Sequence, residues 1–250
     1  MLVAVCSIKG SPGATTLAVA CAARWPGGSP PLLIEADPAG GDLAARFRLA
    51  PDRGLVSWAA AARRGTAQEA VGAVLTAHAQ PLLARFPVIV APPGAGQTIA
   101  ALSVLASPPA SAFTGVANRQ VVIADCGRAD PESPALPVLR AADLVVIAVR
   151  PLPDELSHLA ARADLIAGLE GRAGLVLMRG PGYPPGEVAD VVGLPVVAAA
   201  PNDRHAAAVL GGRATPSRSF SRLPLLRAAE ALALELSRMP VRQTLPRGQA

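Results

Sequence analysis

Lysine occurs once in this chain. Lys9 is the single ammonium among 23 lysine and arginine residues, so every other such cation is a guanidinium. Arginine serves wherever a generic positive charge suffices. A compact ammonium is kept where a broad planar fork fits a tight backbone cradle poorly. Aromatics are nearly as scarce, at 3% of the residues. The core must therefore be built from Ala, Val and Leu, and the scarcity argues against bases stacked on aromatic platforms as ligands. The three cysteines, Cys6, Cys21 and Cys126, form no CxxC pair and no Cys/His cluster. Such an odd, scattered set predicts reduced thiols rather than a disulfide framework. His78, His158 and His205 share no metal-ligand pattern and read as surface or helix-packing residues; no Ser/His/Asp or Cys/His constellation is readable. Long hydrophobic runs are missing as well. No stretch reaches the roughly 18 uninterrupted apolar residues at which a spanning helix is read. The apolar start Met1 to Cys6 is too short for a signal core and lacks a charged region before it. The expected compartment is the cytoplasm.

What is present is apolar and small. Hydrophobic residues make up 51% against 16% charged, the balance of a globular chain. The 250 residues suit one large α/β domain or two small ones. Apolar runs at 2–8, 31–35, 88–91, 120–125, 144–149, 174–178 and 196–200 predict strands. They are hydrophobic throughout rather than alternating, which suits strands buried on both faces of a mostly parallel sheet. Helical patterns lie between them, at 15–24, 55–64, 67–79, 96–105, 154–168, 185–192 and 204–210, with a last one over 222–238. This rhythm predicts a three-layer α/β/α fold with a twisted sheet of about seven or eight strands and ligands at their carboxyl ends. No repeat or linker divides it. Residues 1–238 form one predicted domain, and 239–250, carrying Pro and Arg without periodicity, a mobile tail.

Three segments carry chemistry. The first is Lys9-Gly10-Ser11-Pro12-Gly13-Ala14-Thr15-Thr16, between a buried strand and a helix start. Gly10 and Gly13 let backbone N–H groups turn inward on an anion, and the helix dipole favours phosphate there. The second is Glu35-Ala36-Asp37-Pro38-Ala39-Gly40-Gly41-Asp42, after the second strand; the third is Val121-Val122-Ile123-Ala124-Asp125-Cys126-Gly127, four apolar residues leading into an acid. Together they resemble the ParA/MinD family of ATPases with a deviant phosphate-binding loop, usually written KGGxGK[ST], and the likeness in order and spacing runs over about residues 1–238. The resemblance implies a P-loop NTPase fold, ATP and Mg²⁺ as cofactors, and a homodimer that sandwiches two ATP molecules.

The resemblance also assigns residues. Lys9, Gly10, Ser11, Gly13, Ala14, Thr15 and Thr16 fall in the phosphate cradle, and Thr15 offers the hydroxyl that holds Mg²⁺. Asp37 falls where the family orients the attacking water, and Asp125 where an acid meets Mg²⁺ through water. Pro201 and Asp203 match the loop flanking the base. There are departures. Ser11 replaces a glycine, Glu35 an aspartate and Asp42 an asparagine, Asp42 then serving as a cap for the next helix. Met178, before Arg179, stands in place of an asparagine that contacts adenine. The serious one is Ala14, where the family carries the lysine that reaches the β- and γ-phosphates. For Lys9 the family role is to cross the dimer interface to the partner's nucleotide, and service to its own phosphates is the alternative. Asp37 also reads as a turn residue ahead of Pro38.

Losing one charge-assisted contact should weaken nucleotide binding by about 1.5–3 kcal/mol, roughly ten- to a hundredfold. Hydrolysis should suffer more, since such a group can be worth about 10²–10³ in rate. The expectation is a ParA/MinD-like nucleotide-binding protein that binds ATP·Mg²⁺ and hydrolyses it slowly or not at all, as a dimeric positioning or regulatory switch with an unidentified protein partner or activator. A working partitioning ATPase and a nucleotide-independent scaffold are the alternatives. The net charge of +5 allows nonspecific DNA contact through Arg204, Arg213, Arg218, Arg222 and Arg227. A solvated basic face explains them equally well. Residues 223–236 have the apolar spacing of a helix docked on the sheet; a membrane-targeting helix is the competing reading.

Overall fold

A computed structural model of the chain describes residues 1–66, 71–107, 112–169, 171–178 and 180–240. Each apolar run found in the sequence forms a strand: β1 (Leu2–Ser7), β2 (Leu32–Glu35), β4 (Phe86–Ile89), β5 (Val122–Arg128), β6 (Leu144–Val149), β7 (Ala173–Met178) and β8 (Val196–Ala200). β3 (Gln80–Leu82) has no counterpart in the sequence reading. The eight strands form one sheet in the order β3-β4-β2-β5-β1-β6-β7-β8. All neighbours run parallel except β3, which is antiparallel to β4 at the edge. β3 escaped notice for a local reason: three residues carry no readable period, and one of them is Pro81. The turn joining it to β4 is closed by the Arg85 N–H on the Leu82 carbonyl, 3.0 Å. Its central residues Leu83 and Ala84 both take φ +51, the twist of a tight hairpin, without the Asn-Gly pair that announces one.

Continuous apolar strands predicted burial on both faces, and β1 shows it. Leu2, Ala4 and Cys6 belong to one hydrophobic cluster, while Val3 and Val5 belong to the other. The first face is covered by helices Leu55–Ala61, Ala95–Leu105, Ala112–Ala117 and Leu136–Ala141. The second is covered by Ala14–Arg24, Arg204–Leu210 and Pro224–Arg238. The fold is the three-layer α/β/α sandwich expected. Of the few aromatics, Trp58 and Phe113 meet in the first layer with ring centroids 5.5 Å apart.

Helix Pro224–Arg238 buries Leu225, Leu226, Ala229, Leu232, Ala233 and Leu236 and packs on Ala14–Arg24. Its apolar face is thus used internally, which decides against a membrane-targeting role for that face. Other boundaries differ in detail. The helix expected over 55–64 is α-helical to Ala61 and then widens into a π-helical turn, Ala62–Thr66. That expected over 67–79 is present from Val71 to His78, its first residues lying outside those described. The 154–168 segment is two helices, Pro153–Ala160 and Ala163–Ala167, and Leu43–Phe47, Ala112–Ala117 and Leu136–Ala141 are additions. Of the expected tail, 241–250 lie outside the described residues, and so does Arg179. Among described residues no helix is long and apolar enough to cross a membrane.

Candidate functional site

β1 and β5 lie side by side at the middle of the sheet, and both end at the same rim. The loop after β1 enters helix Ala14–Arg24 through Gly13, which caps the helix at φ +108, a left-handed conformation that glycine takes without strain. A cavity of about 720 Å³ opens over this loop. It is lined by Gly10, Ser11, Gly13, Ala14, Thr15 and Thr16, by Asp37 from beyond β2, and by Gly127 and Arg128 from β5. A second cavity of about 250 Å³ adjoins it along Ser11, Pro12, Gly13 and Thr16 and reaches Met178, Pro201, Asn202 and Asp203. The segments assigned to phosphate and to base therefore face neighbouring cavities that share the wall of the glycine loop.

The acids converge as the motifs suggested. Asp125 is 2% exposed, its Oδ1 accepts the Gly127 N–H at 3.3 Å, and the nearby Thr15 hydroxyl acts to lower its pKa. Burial pushes its pKa up to about 6 against the effect of Thr15 and Gly127. Asp37 is half-buried, and burial raises it too. Its Oδ1 accepts the Ala39 N–H at 2.9 Å and its carbonyl the Gly40 N–H at 3.0 Å, so Asp37 both forms the turn and faces the cavity. The two readings of this residue coexist. Gly127 is held at φ +61, and a Cβ there would overlap the Asp37 carboxyl.

Glu35 does something the sequence reading missed. It is 2% exposed, and it accepts three backbone N–H bonds: Asp42 and Leu43 on Oε1 at 2.9 and 3.0 Å, Ala91 on Oε2 at 3.0 Å. It thereby closes the 36–43 segment against the end of β4. The extra methylene over aspartate was the available signal. Burial, with Asp125 nearby, raises its pKa to about 7 against those three donors. Asp42, expected to cap helix Leu43–Phe47, stands at the N-cap but makes no cap bond. Its carboxylate pairs with Arg46 at 2.5 Å, and Glu35 satisfies the helix's first amides instead.

Lys9 is exposed and does not line either cavity within this chain. Ala14, 7% exposed, sits under the phosphate loop without a polar group. The cations that do line the cavities were absent from the sequence assignment: Arg46 and Arg128 in the larger, Arg150 in the smaller. The Arg150 Nε donates to Glu155 Oε1 at 2.5 Å, and Glu155 is 1% exposed. Asp203 uses its carboxylate structurally, accepting the Ala206 N–H at 2.9 Å as a helix cap and the Leu225 N–H at 3.4 Å. Met178 packs toward Gly13, 3.3 Å from where a Cβ there would stand.

Burial raises the thiols of Cys6, Cys21 and Cys126, the first two to about 12, so these buried side chains pack rather than react. His78 is buried, its Nδ1 2.9 Å from the Ser57 hydroxyl. Among described residues no three His, Cys, Asp or Glu side chains gather to hold a metal. The oxygens present nevertheless suit Mg²⁺, which keeps several waters and leans on one or two carboxylates plus phosphate oxygens. The Thr15 hydroxyl on the cavity wall, the Asp37 carboxylate facing it and the buried Asp125 nearby are such a donor set.

No protein-family model matches this chain, and no curated protein matches it in sequence. Its structure does have counterparts. A ParA family ATPase from Chlorobium tepidum superimposes with a TM-score of 0.73 at 18% identity, over 93% of this chain and 98% of that one. The septum site-determining protein MinD from Pyrococcus horikoshii, in complex with Mg-ADP, gives 0.65 at 19% identity over 95% and 96%. An ATP complex of a McdA variant from Cyanothece gives 0.63 at 14% identity over 97% and 98%. The chain therefore has the ParA/MinD P-loop fold along nearly its whole length; at these identities the likeness is one of fold.

Proposed function

We propose that this chain is a nucleotide-binding switch of the ParA/MinD type that binds ATP·Mg²⁺ and hydrolyses it slowly or not at all. One observation carries the reading. Thr15, whose hydroxyl favours the ionised form of the buried Asp125, lines one cavity with the glycine loop and Asp37, while Ala14 leaves the loop without its lysine. An abandoned site would have little reason to keep an acid 2% exposed at a cost in burial, and this disfavours a nucleotide-independent scaffold. Thr15 and Asp125 would hold Mg²⁺, which would supply charge to neutralise phosphate oxygens. Gly10, Ser11 and Gly13 would offer backbone amides to the phosphates, Asp37 would orient water, and Pro201 with Asn202 would flank the base.

Lys9 points to solvent, as a residue reserved for a second subunit's nucleotide does, and the active state in this reading is a homodimer. The dimer would position a cargo or regulate a partner. Arg204, Arg213, Arg218, Arg222 and Arg227 are all exposed and would give that dimer a surface for DNA phosphates. Gel shifts at two salt concentrations test this, since phosphate contacts must weaken as salt rises. The decisive experiment for the site is calorimetric titration of ATP·Mg²⁺ into the native protein, Lys9→Ala and Ala14→Lys, with hydrolysis assayed alongside. Expected are micromolar to submillimolar binding by the native protein and a gain of hydrolysis in Ala14→Lys. Absence of binding at millimolar ATP refutes the reading.

A further inference from the structure

We propose that Arg128, at the end of β5, supplies the phosphate-facing positive charge that Ala14 cannot. The inference rests on the nucleotide-binding reading above and deepens it. The argument begins with strand register. β1 and β5 pair Val5 with Asp125 and next Ser7 with Arg128, so two steps on β1 are matched by three on β5. The extra residue is a bulge, a device that re-aims the side chains beyond it. Gly127 absorbs the irregularity at φ +61. In an unbroken ladder Gly127, without a side chain, would stand opposite Ser7, the last strand residue before the phosphate loop. The bulge puts Arg128 there instead. Its backbone is fixed, because the next amide, Ala129 N–H, donates to the Ser7 carbonyl at 2.8 Å.

From that anchor the Arg128 side chain lines the same cavity as the loop, Thr15 and Asp37. Its charge is felt there, acting to lower the Asp37 pKa against the effect of burial. The other cations near the loop are committed or turned away. Arg46 pairs with Asp42 at 2.5 Å. Arg150 is held by the buried Glu155 and lines the neighbouring cavity. Lys9 lines neither cavity. Of the other acids lining the cavity, Asp130 pairs with Arg162, and Glu132 is exposed without pairing to Arg128. Among described residues Arg128 is exposed and has no ion-pair partner, so its five donors are available. A guanidinium grips phosphate through two parallel N–H bonds, but it is too broad for the cradle itself. Approach from a strand end across an open cavity of about 720 Å³ removes that difficulty. A charge lost inside the loop is in this way returned from the adjacent strand.

The test is calorimetric titration of ATP·Mg²⁺ into the native protein, Arg128→Gln, Arg128→Lys and the double variant Arg128→Gln/Ala14→Lys, each first checked for an unchanged melting profile. Arg128→Gln should weaken binding about ten- to a hundredfold, the range for one charge-assisted contact. Arg128→Lys should recover part of that loss. The double variant should restore binding to within a few-fold of the native protein, which a merely structural arginine would not allow. Native binding with an unaffected Arg128→Gln variant overturns the role of Arg128 and leaves the nucleotide reading standing. A loss that Ala14→Lys fails to rescue also overturns it. Absence of binding by the native protein overturns both.

Discussion

Replacing Glu35 tests how the segment carrying Asp37 is held. Its carboxylate accepts the N–H groups of Asp42, Leu43 and Ala91 in a site 2% exposed to solvent. Glu35→Ala orphans three donors at about 1–3 kcal/mol each, a gross loss near 6 kcal/mol at the middle of that range. The native residue also carries a penalty. Burial raises its pKa from 4.5 to about 7 even with those three donors in place, so the ionised side chain carries a desolvation cost that the substitution relieves in part. The net expectation at pH 8 is a loss below that gross figure but above about 1 kcal/mol, hence a drop of at least roughly 2–4 °C in melting temperature for a domain of this size. Glu35→Gln keeps an acceptor for Asp42 and Leu43 and sheds the buried charge, while its amide opposes only the Ala91 N–H. It should therefore remain within about 1 kcal/mol of the native protein. Urea unfolding gives the energies, and hydrogen exchange at the Asp42, Leu43 and Ala91 amides gives the location. Loss of protection at all three in Glu35→Ala, and at Ala91 alone in Glu35→Gln, is expected. Equal stability of the two variants, or undiminished protection in Glu35→Ala, would refute the argument that this carboxylate closes the segment.

Asp125 predicts a pH dependence of opposite sense to that of an ordinary salt-bridged acid. Its folded pKa of about 6 exceeds the ordinary 3.8, so between these values the folded chain binds more protons than the unfolded one and stability falls as pH rises. Nucleotide-free Asp125→Asn should accordingly be more stable than the native protein at pH 7.5 and lose that advantage near pH 4; a variant no more stable at pH 7.5 contradicts the burial argument. Gly127→Ala places a methyl on the Asp37 carboxyl and forces a left-handed alanine, at about 1–2 kcal/mol for the backbone alone. Thermal melting should show at least that loss, and an unchanged melting temperature would mean that Asp37 does not occupy the space. Leu226→Ala empties a fully buried position on helix Pro224–Arg238, which packs on Ala14–Arg24, and should cost about 2–5 kcal/mol in urea unfolding. A loss below about 1 kcal/mol would show that the helix is not docked.

The sequence alone determined the layers and the rim of the sheet where ligands sit. Unbroken apolar runs such as Leu144–Val149 can only be buried on both faces, and glycine with small residues between a strand and a helix marks an anion cradle wherever it occurs. Those signals are local, a few residues long, and need no knowledge of what lies across the molecule. Thr15 and Asp37 line one cavity at that rim, and Asp125 lies buried on β5 two residues before its Gly127. The placements of Glu35, Asp42 and Arg128 were decided only in three dimensions. Glu35 bonds the amide of Ala91, distant in sequence, and thereby takes the capping duty that helix grammar assigned to Asp42. Arg128 reaches the cavity because one residue of β5 bulges against β1. Register and long-range hydrogen bonds depend on which strands become neighbours, and no window of local sequence contains that information.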